Sequence, residues 1–383
     1  MSRPEFDCSG ENSVMKSGPA RCVFNMPGAL KALMSGGQEI AHGLPQHRRR
    51  RAYLVDKYPA CPKSWDRSTG NMASYFVPIV NGSGMWLDFN ETLKYAGNHV
   101  AVVISVQGVN PLTGLECTDM QLEQYTECCP THKTKFGPDR LCTTCNFRWP
   151  KQNYIATTGT PDGLFWLDGF RAPDGVIRQY LLTTEKARGV ANAIMGEKRV
   201  FAIGLAFFLS KEPRPKPQPR RKSDGVTLNW CGPIGGGLKS YEDAPIGSDG
   251  GCDDTVYYTS TMNSTLGDAG SKGLISGAKG LPGMKGEHGF DGPIASASAP
   301  MARRFAIGGQ SVNVQKVEVA AGAQVRQIIY DDPFTLDYWV TSPESVILVN
   351  YALEVDVEEI LKGGEIDVSG SPEGFLQKIP VGN

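Results

Sequence analysis

The tightest constraint on this chain is a short stretch, residues 129–145. It reads Cys-Pro-Thr-His, then nine residues, then Cys-Thr-Thr-Cys. Cys129, His132, Cys142 and Cys145 supply four nitrogen or sulfur donors in two pairs, each with two residues between its members. Brought together, two such pairs complete the tetrahedral shell that Zn2+ takes. Cys128 is adjacent to Cys129, and spacing alone leaves open which of the two is the ligand. With all four positions filled from the protein, the site is expected to be closed and structural, whereas a catalytic ion keeps one position free. The first half of the chain is expected to fold around this knot, with Phe147 and Trp149 packing on it as a miniature core.

The Cys-x-x-His…Cys-x-x-Cys loop resembles zinc-ribbon and zinc-knuckle loops. The resemblance covers the loop alone and implies a metal that holds structure. Lys133, Lys135, Arg140, Arg148 and Lys151 lie in or beside it and offer a basic face to nucleic acid as an alternative role. Against that role, 39 basic and 40 acidic residues leave a formal net charge of -1 and no global field toward a polyanion. A deaminase needs His-x-Glu ahead of Pro-Cys-x-x-Cys, but here Lys133 and Thr134 follow His132. Gly-x-Ser-x-Gly is absent, and none of His42, His47, His99, His132 and His288 adjoins a nucleophile motif. The carboxylate pairs Asp168/Asp174 and Glu365/Asp367 are what turns and strand ends produce. The chain is therefore expected to be non-enzymatic.

A second periodicity lies further on. Gly277, Gly280, Gly283, Gly286, Gly289 and Gly292 fall in strict three-residue phase, after a shorter phase at Gly267, Gly270 and Gly273. Residues 267–293 resemble a collagen-like Gly-X-Y segment, in which three polyproline II chains meet at an axis that only glycine fits. The resemblance implies a homotrimer or larger assembly, with these glycines as the oligomerisation element. A flexible glycine-rich linker is the other reading.

The remaining chain reads as mainly β and multidomain. Residues 1–51 have weak periodicity, with one short helix expected over 26–34. His47 followed by Arg48, Arg49, Arg50 and Arg51 reads as a solvated turn in preference to a phosphate patch, since no aromatic residues interleave with the arginines. Residues 52–210 are expected to form a β-rich domain with the zinc loop at 128–149 embedded in it. Strands at 75–80 and 85–89 flank Asn-Gly-Ser-Gly and predict a hairpin. The run VAVVISV at 100–106 predicts a central strand, and Pro-Asp-Gly at 173–175 predicts a second hairpin. A helix is expected over 184–195, capped by Thr183 or Thr184 and ended by Gly196. The apolar run 201–209 is too short to cross a bilayer and reads as a buried segment. Residues 211–225 form a Pro/Arg-rich spacer, and 226–266 are rich in Gly and Asp. The triplet Gly235-Gly236-Gly237 reads as a turn, and Asp249, Asp253 and Asp254 match no calcium-loop spacing. A linker at 294–302 leads to a separate C-terminal β-sandwich or barrel at 303–383. In that last domain, a helical turn at 357–362 ends at Gly363-Gly364.

The first residues lack an apolar signal-peptide core, so synthesis in the cytoplasm is expected, with an assembled particle or appendage as one candidate final location. Ten cysteines diluted in this length fit a reducing compartment. In an oxidising one, Cys8, Cys22, Cys61, Cys117, Cys128, Cys231 and Cys252 would be available to pair.

Overall fold

Seventeen strands and three short α-helices lie among the residues that the computed structural model describes, 6–43, 48–161, 163–214 and 311–366. In chain order the strands are β1 (Val14–Ser17), β2 (Ala20–Asn25), β3 (Leu33–Ser35), β4 (Gln38–Ile40), β5 (Tyr53–Leu54), β6 (Met72–Ile79), β7 (Gly84–Asp88), β8 (Asn98–Val106) and β9 (Leu141–Cys142). They continue with β10 (Phe147–Arg148), β11 (Tyr154–Ala156), β12 (Trp166–Leu167), β13 (Gly169–Arg171), β14 (Ile177–Thr183), β15 (Ala202–Pro213), β16 (Glu318–Val325) and β17 (Ser345–Leu353). The helices are α1 (Thr92–Tyr95), α2 (Val190–Met195) and α3 (Glu354–Lys362). No helix among the described residues is long and apolar enough to cross a membrane.

The expected mainly β class is the observed one. A seven-stranded sheet runs β1-β2-β7-β14-β13, with β12 also on β7 and β16 also on β14. A six-stranded sheet runs β11-β8-β15-β17-β6-β5, antiparallel except between β17 and β6. Phe24, Met85, Leu87 and Tyr180 of the first sheet share one buried core with Val102, Ile104, Leu205, Phe207 and Val349 of the second. Alternate residues of each strand point into this core, as in a two-sheet sandwich.

The six-stranded sheet is covered on its other face too. Ala101, Val103, Ala206 and Phe208 pack there with Cys117, Tyr154 and Trp339. Phe76 packs under Trp65 and α3, through Val357 and Ile360. The continuous apolar run of β8 follows from this double burial, because a strand wet on one face alternates. Asp332 pins part of the covering layer. Its carboxylate accepts hydrogen bonds from Tyr154 Oη (2.7 Å), Thr158 Oγ1 (2.7 Å) and Trp339 Nε1 (2.8 Å).

Several expectations are corrected. Residues 303–383 do not supply a separate sandwich. β17 lies between β15 and β6, and β16 pairs with β14, so the described part, 311–366, completes the two sheets begun upstream. The Gln107 side chain donates to Val317 O (3.0 Å) and accepts from Val319 N (3.1 Å), tying β16 to the rest. Nor are residues 1–51 irregular: β1 and β2 form one edge of the seven-stranded sheet. The helix expected at 26–34 is absent. The Pro27–Gly28 backbone instead pairs with the 83–84 segment.

The hairpin expected at 75–89 is a crossing between sheets. β6 and β7 sit in different sheets, and the connector is held by Gly82 N to Leu182 O (2.8 Å) and Leu182 N to Ser83 O (2.8 Å). A turn signal between alternating strands does not distinguish these two outcomes. The second hairpin is as expected, β13 on β14, with Gly175 at φ +93°.

The helix expected over 184–195 is shorter, Val190–Met195, after a 3-10 turn at Lys186–Arg188. A β-carbon at Gly189 would lie 2.6 Å from Glu318 Oε2, so the chain breaks where it meets the buried Arg199–Glu318 pair. Gly196 ends α2 at φ +58°, as expected. The turn at 357–362 is the end of α3, closed at Gly363.

The arginine run is solvated only in part: Arg48 is exposed and Arg49 and Arg51 half-buried, but Arg50 is not. Arg50 is 3 % exposed and bonds Asp7 (2.5 Å), Glu354 (2.6 Å) and Pro78 O (2.9 Å). His47, the spacer beyond Arg214, the segment 226–266 with its Asp and Gly clusters, and the glycines 277–292 lie outside the described residues.

Candidate metal centre

Two hairpin tips build the site. In the first, Cys129 N donates to Thr134 O (2.8 Å), Phe136 N to Glu127 O (3.0 Å), and Cys128 bridges Lys135. In the second, β9 pairs with β10. Both tips turn in the same way. Lys133 N donates to Cys129 O and Asn146 N to Cys142 O, each at 2.8 Å. Lys133 and Asn146, each four residues after the leading cysteine, sit at φ +56° and φ +54°. This left-handed residue closes each Cys-x-x-Cys or Cys-x-x-His turn and aims both of its donors to one side.

The four donor atoms of Cys129, His132, Cys142 and Cys145 lie within 4.8 Å of one another and could hold a metal ion. Metal–sulfur bonds of about 2.3 Å at the tetrahedral angle place two sulfurs about 3.8 Å apart, and sulfur and imidazole nitrogen about 3.6 Å apart. The observed separations are 4.0 Å for Cys129–Cys145, 3.5 Å for Cys129–His132 Nδ1 and 3.8 Å for Cys142–His132 Nδ1. The donor set thus fits an ion with tetrahedral preference. Cys129, and not Cys128, is the cysteine whose sulfur joins the cluster.

Burial alone would raise the Cys142 thiol. The Thr134 hydroxyl, 3.4 Å away, and the backbone amides of Cys145 and Thr144 outweigh it and bring the thiol down to about 5. Donors aimed at sulfur favour the thiolate, the form that binds metal. Cys145 moves the other way, raised first by burial and then by the neighbouring Cys142 sulfur.

Tyr125, Cys129, Cys142 and Trp149 form a small core of their own, with Phe136, Phe147 and Leu115 against it. Phe147 and Trp149 pack as expected, ring centres 4.9 Å apart. This core is separate from the sandwich core, so the first half of the chain is not folded around the knot.

The five basic residues named for this loop divide. Arg140 donates to the carbonyls of Trp149 (3.2 Å), Pro150 (3.2 Å), Thr126 (3.3 Å) and Tyr125, and lies over the Phe136 ring. It acts as an internal clamp. Lys151 pairs with Asp331 at 2.8 Å, and Arg148 stands 3.9 Å from Asp139. Lys133 and Lys135 are exposed. Arg171, at the end of β13, carries no sequence signal, yet its guanidinium donates to Arg148 O and lies 5.7 Å over the Phe147 ring. Burial, then the adjacent Arg148 charge, lowers it to about 10.

The other candidates are placed elsewhere. Asp168 is buried and pushed up by burial to about 7, with Oδ1 lacking a hydrogen-bond partner. Asp174 accepts from Val176 N within its turn, and Glu365 pairs with Lys57 at 2.8 Å. Asp367 lies outside the described residues. The His42 ring contacts Lys31 O, and the His99 ring contacts Thr157 Oγ1. No family model matches the chain, and no curated protein or solved structure matches it.

Proposed function

We propose that the chain is a non-enzymatic structural subunit of a homo-oligomeric assembly, a trimer, such as a fibre, appendage, virion or scaffold component. The observation that carries this reading is the closed tetrad. Four protein donors converge on one point inside a private aromatic core, which suits an ion that holds a loop in shape. The ion is Zn2+, the metal best suited to a three-sulfur, one-nitrogen set. The six-glycine register at 277–292 supports the trimer, because a collagen-like Gly-X-Y phase places glycine at the axis where three chains meet. The alternative, a nucleic-acid contact through the basic knot, rests on the exposed Lys133 and Lys135 together with Arg148, since Arg140 and Lys151 are engaged internally.

Native mass spectrometry of the full-length protein tests this reading. Three chains carrying three Zn2+ are expected. A monomer would overturn the assembly reading, and a chain without metal would overturn the zinc assignment.

A further inference from the structure

A cavity of about 180 Å³ opens where the knot meets the sandwich, lined by Asp139, Arg140, Arg148, Lys151, Arg171 and Asp331 among others. Arg148, Lys151 and Arg171, with the internally bonded Arg140, line it against the carboxylates of Asp139 and Asp331, and Asp174 acts on Arg171 from the adjoining turn. Lys151 and Arg148 each have an acidic neighbour, at 2.8 and 3.9 Å. Arg171 has none within ion-pair distance among the described residues, although its guanidinium is packed beside Arg148.

The backbone enforces this crowding. Arg148 N donates to Pro173 O (2.8 Å), docking the knot on the β13–β14 turn. Gly175, at φ +93°, leaves room for both arginines: a β-carbon there would lie 3.0 Å from Arg171 Nη2 and 3.2 Å from Arg148 Cδ. Like charges held this close repel, and a bound anion relieves the repulsion. Guanidinium forks suit the oxygens of a tetrahedral oxyanion.

We infer that this cavity is a binding site for one phosphate group, held by Arg171 and Arg148 with Lys151 at its rim. The site is independent of the assembly reading. Its position beside the metal knot makes it sensitive to the shape of the second hairpin, since Arg148 belongs to β10.

The test is calorimetric titration of full-length, zinc-loaded protein with inorganic phosphate at constant ionic strength. One site per chain is expected. Arg171→Gln and Arg148→Gln should each weaken binding at least about tenfold, the loss that follows from removing one charged donor. Lys186→Gln, outside the cavity, should leave it unchanged. Zinc content and circular dichroism check that the variants are folded, and the half-exposed Arg148 keeps the test valid should Arg171→Gln misfold. A second titration uses a ten-residue oligothymidylate. Oligonucleotide binding lost in the same variants assigns the phosphate to a phosphodiester backbone, and binding of inorganic phosphate alone assigns it to the free ion. No binding of either probe, or binding unchanged in both variants, overturns the inference.

Discussion

Removing the metal should unfold the knot and spare the sandwich. Ordering the 23 residues between Tyr125 and Trp149 costs roughly 35 kcal/mol, at about 1.5 kcal/mol per residue. Burying Tyr125 and Trp149, with partial burial of Phe136, Phe147 and Leu115, offsets about 15 kcal/mol of this. The Arg140 bonds to four carbonyls add a few kcal/mol. A shortfall of about 15 kcal/mol remains, which the roughly 10–16 kcal/mol available from a structural Zn2+ covers. The sandwich draws on none of these residues, because its core is a different set of side chains. Amide hydrogen exchange with and without a chelator reads both regions. Protection should be lost at 127–148 and kept in β8, β15 and β17. Unchanged protection of the knot would refute the metal's structural role. Loss of protection throughout would refute the separation of the two cores.

Three further outcomes are expected. Arg140→Met keeps the stem over Phe136 but strips donors from four carbonyls, and should cost about 2–4 kcal/mol and speed metal release in a chelator competition assay. Asp168, raised by burial from 3.8 to about 7, binds its proton more tightly folded than unfolded, so its contribution to stability is full below about pH 4 and is lost as pH rises to 7. Asp168→Asn should therefore match the parent near pH 4 and exceed it by roughly 4 kcal/mol at pH 8 in urea titrations; a constant difference across pH would exclude this. Arg199→Leu leaves the Glu318 side chain, 3 % exposed, without its ion pair and should cost about 3–5 kcal/mol, with most of it recovered on adding Glu318→Leu.

What the sequence disclosed was local. The tetrad was legible because metal chemistry fixes ligand type and spacing within seventeen residues, and the β13–β14 hairpin because Pro-Asp-Gly favours a tight turn. Asn81-Gly82-Ser83-Gly84 carried as strong a turn signal and was misread, since the partner of β6 is β17, with Met72 opposite Val346. The role of Arg50 was hidden for the same reason: Asp7 and Glu354 reach it from opposite ends of the chain. Arg171 was invisible because its significance comes only from the docking of Arg148 on the 172–175 turn.

The position of β17 bears on how the chain folds. It is the last strand among the described residues, yet it lies inside its sheet, with Ala202 of β15 on one side and Met72 of β6 on the other pairing to Asn350 and Val346. A chain that ends before residue 345 leaves long edges of β15 and β6 unpaired and the core faces of Val77, Ile79, Leu205 and Phe207 without Ile347, Val349 and Tyr351. Bare edges and uncovered apolar faces favour aggregation over folding. Residues 52–210 are therefore not a folding unit, despite containing most of the strands. The sandwich closes only after the segment carrying the glycine register has been made, because residues 215–310 separate the strands that must pair. Closure over so long a separation is entropically slow.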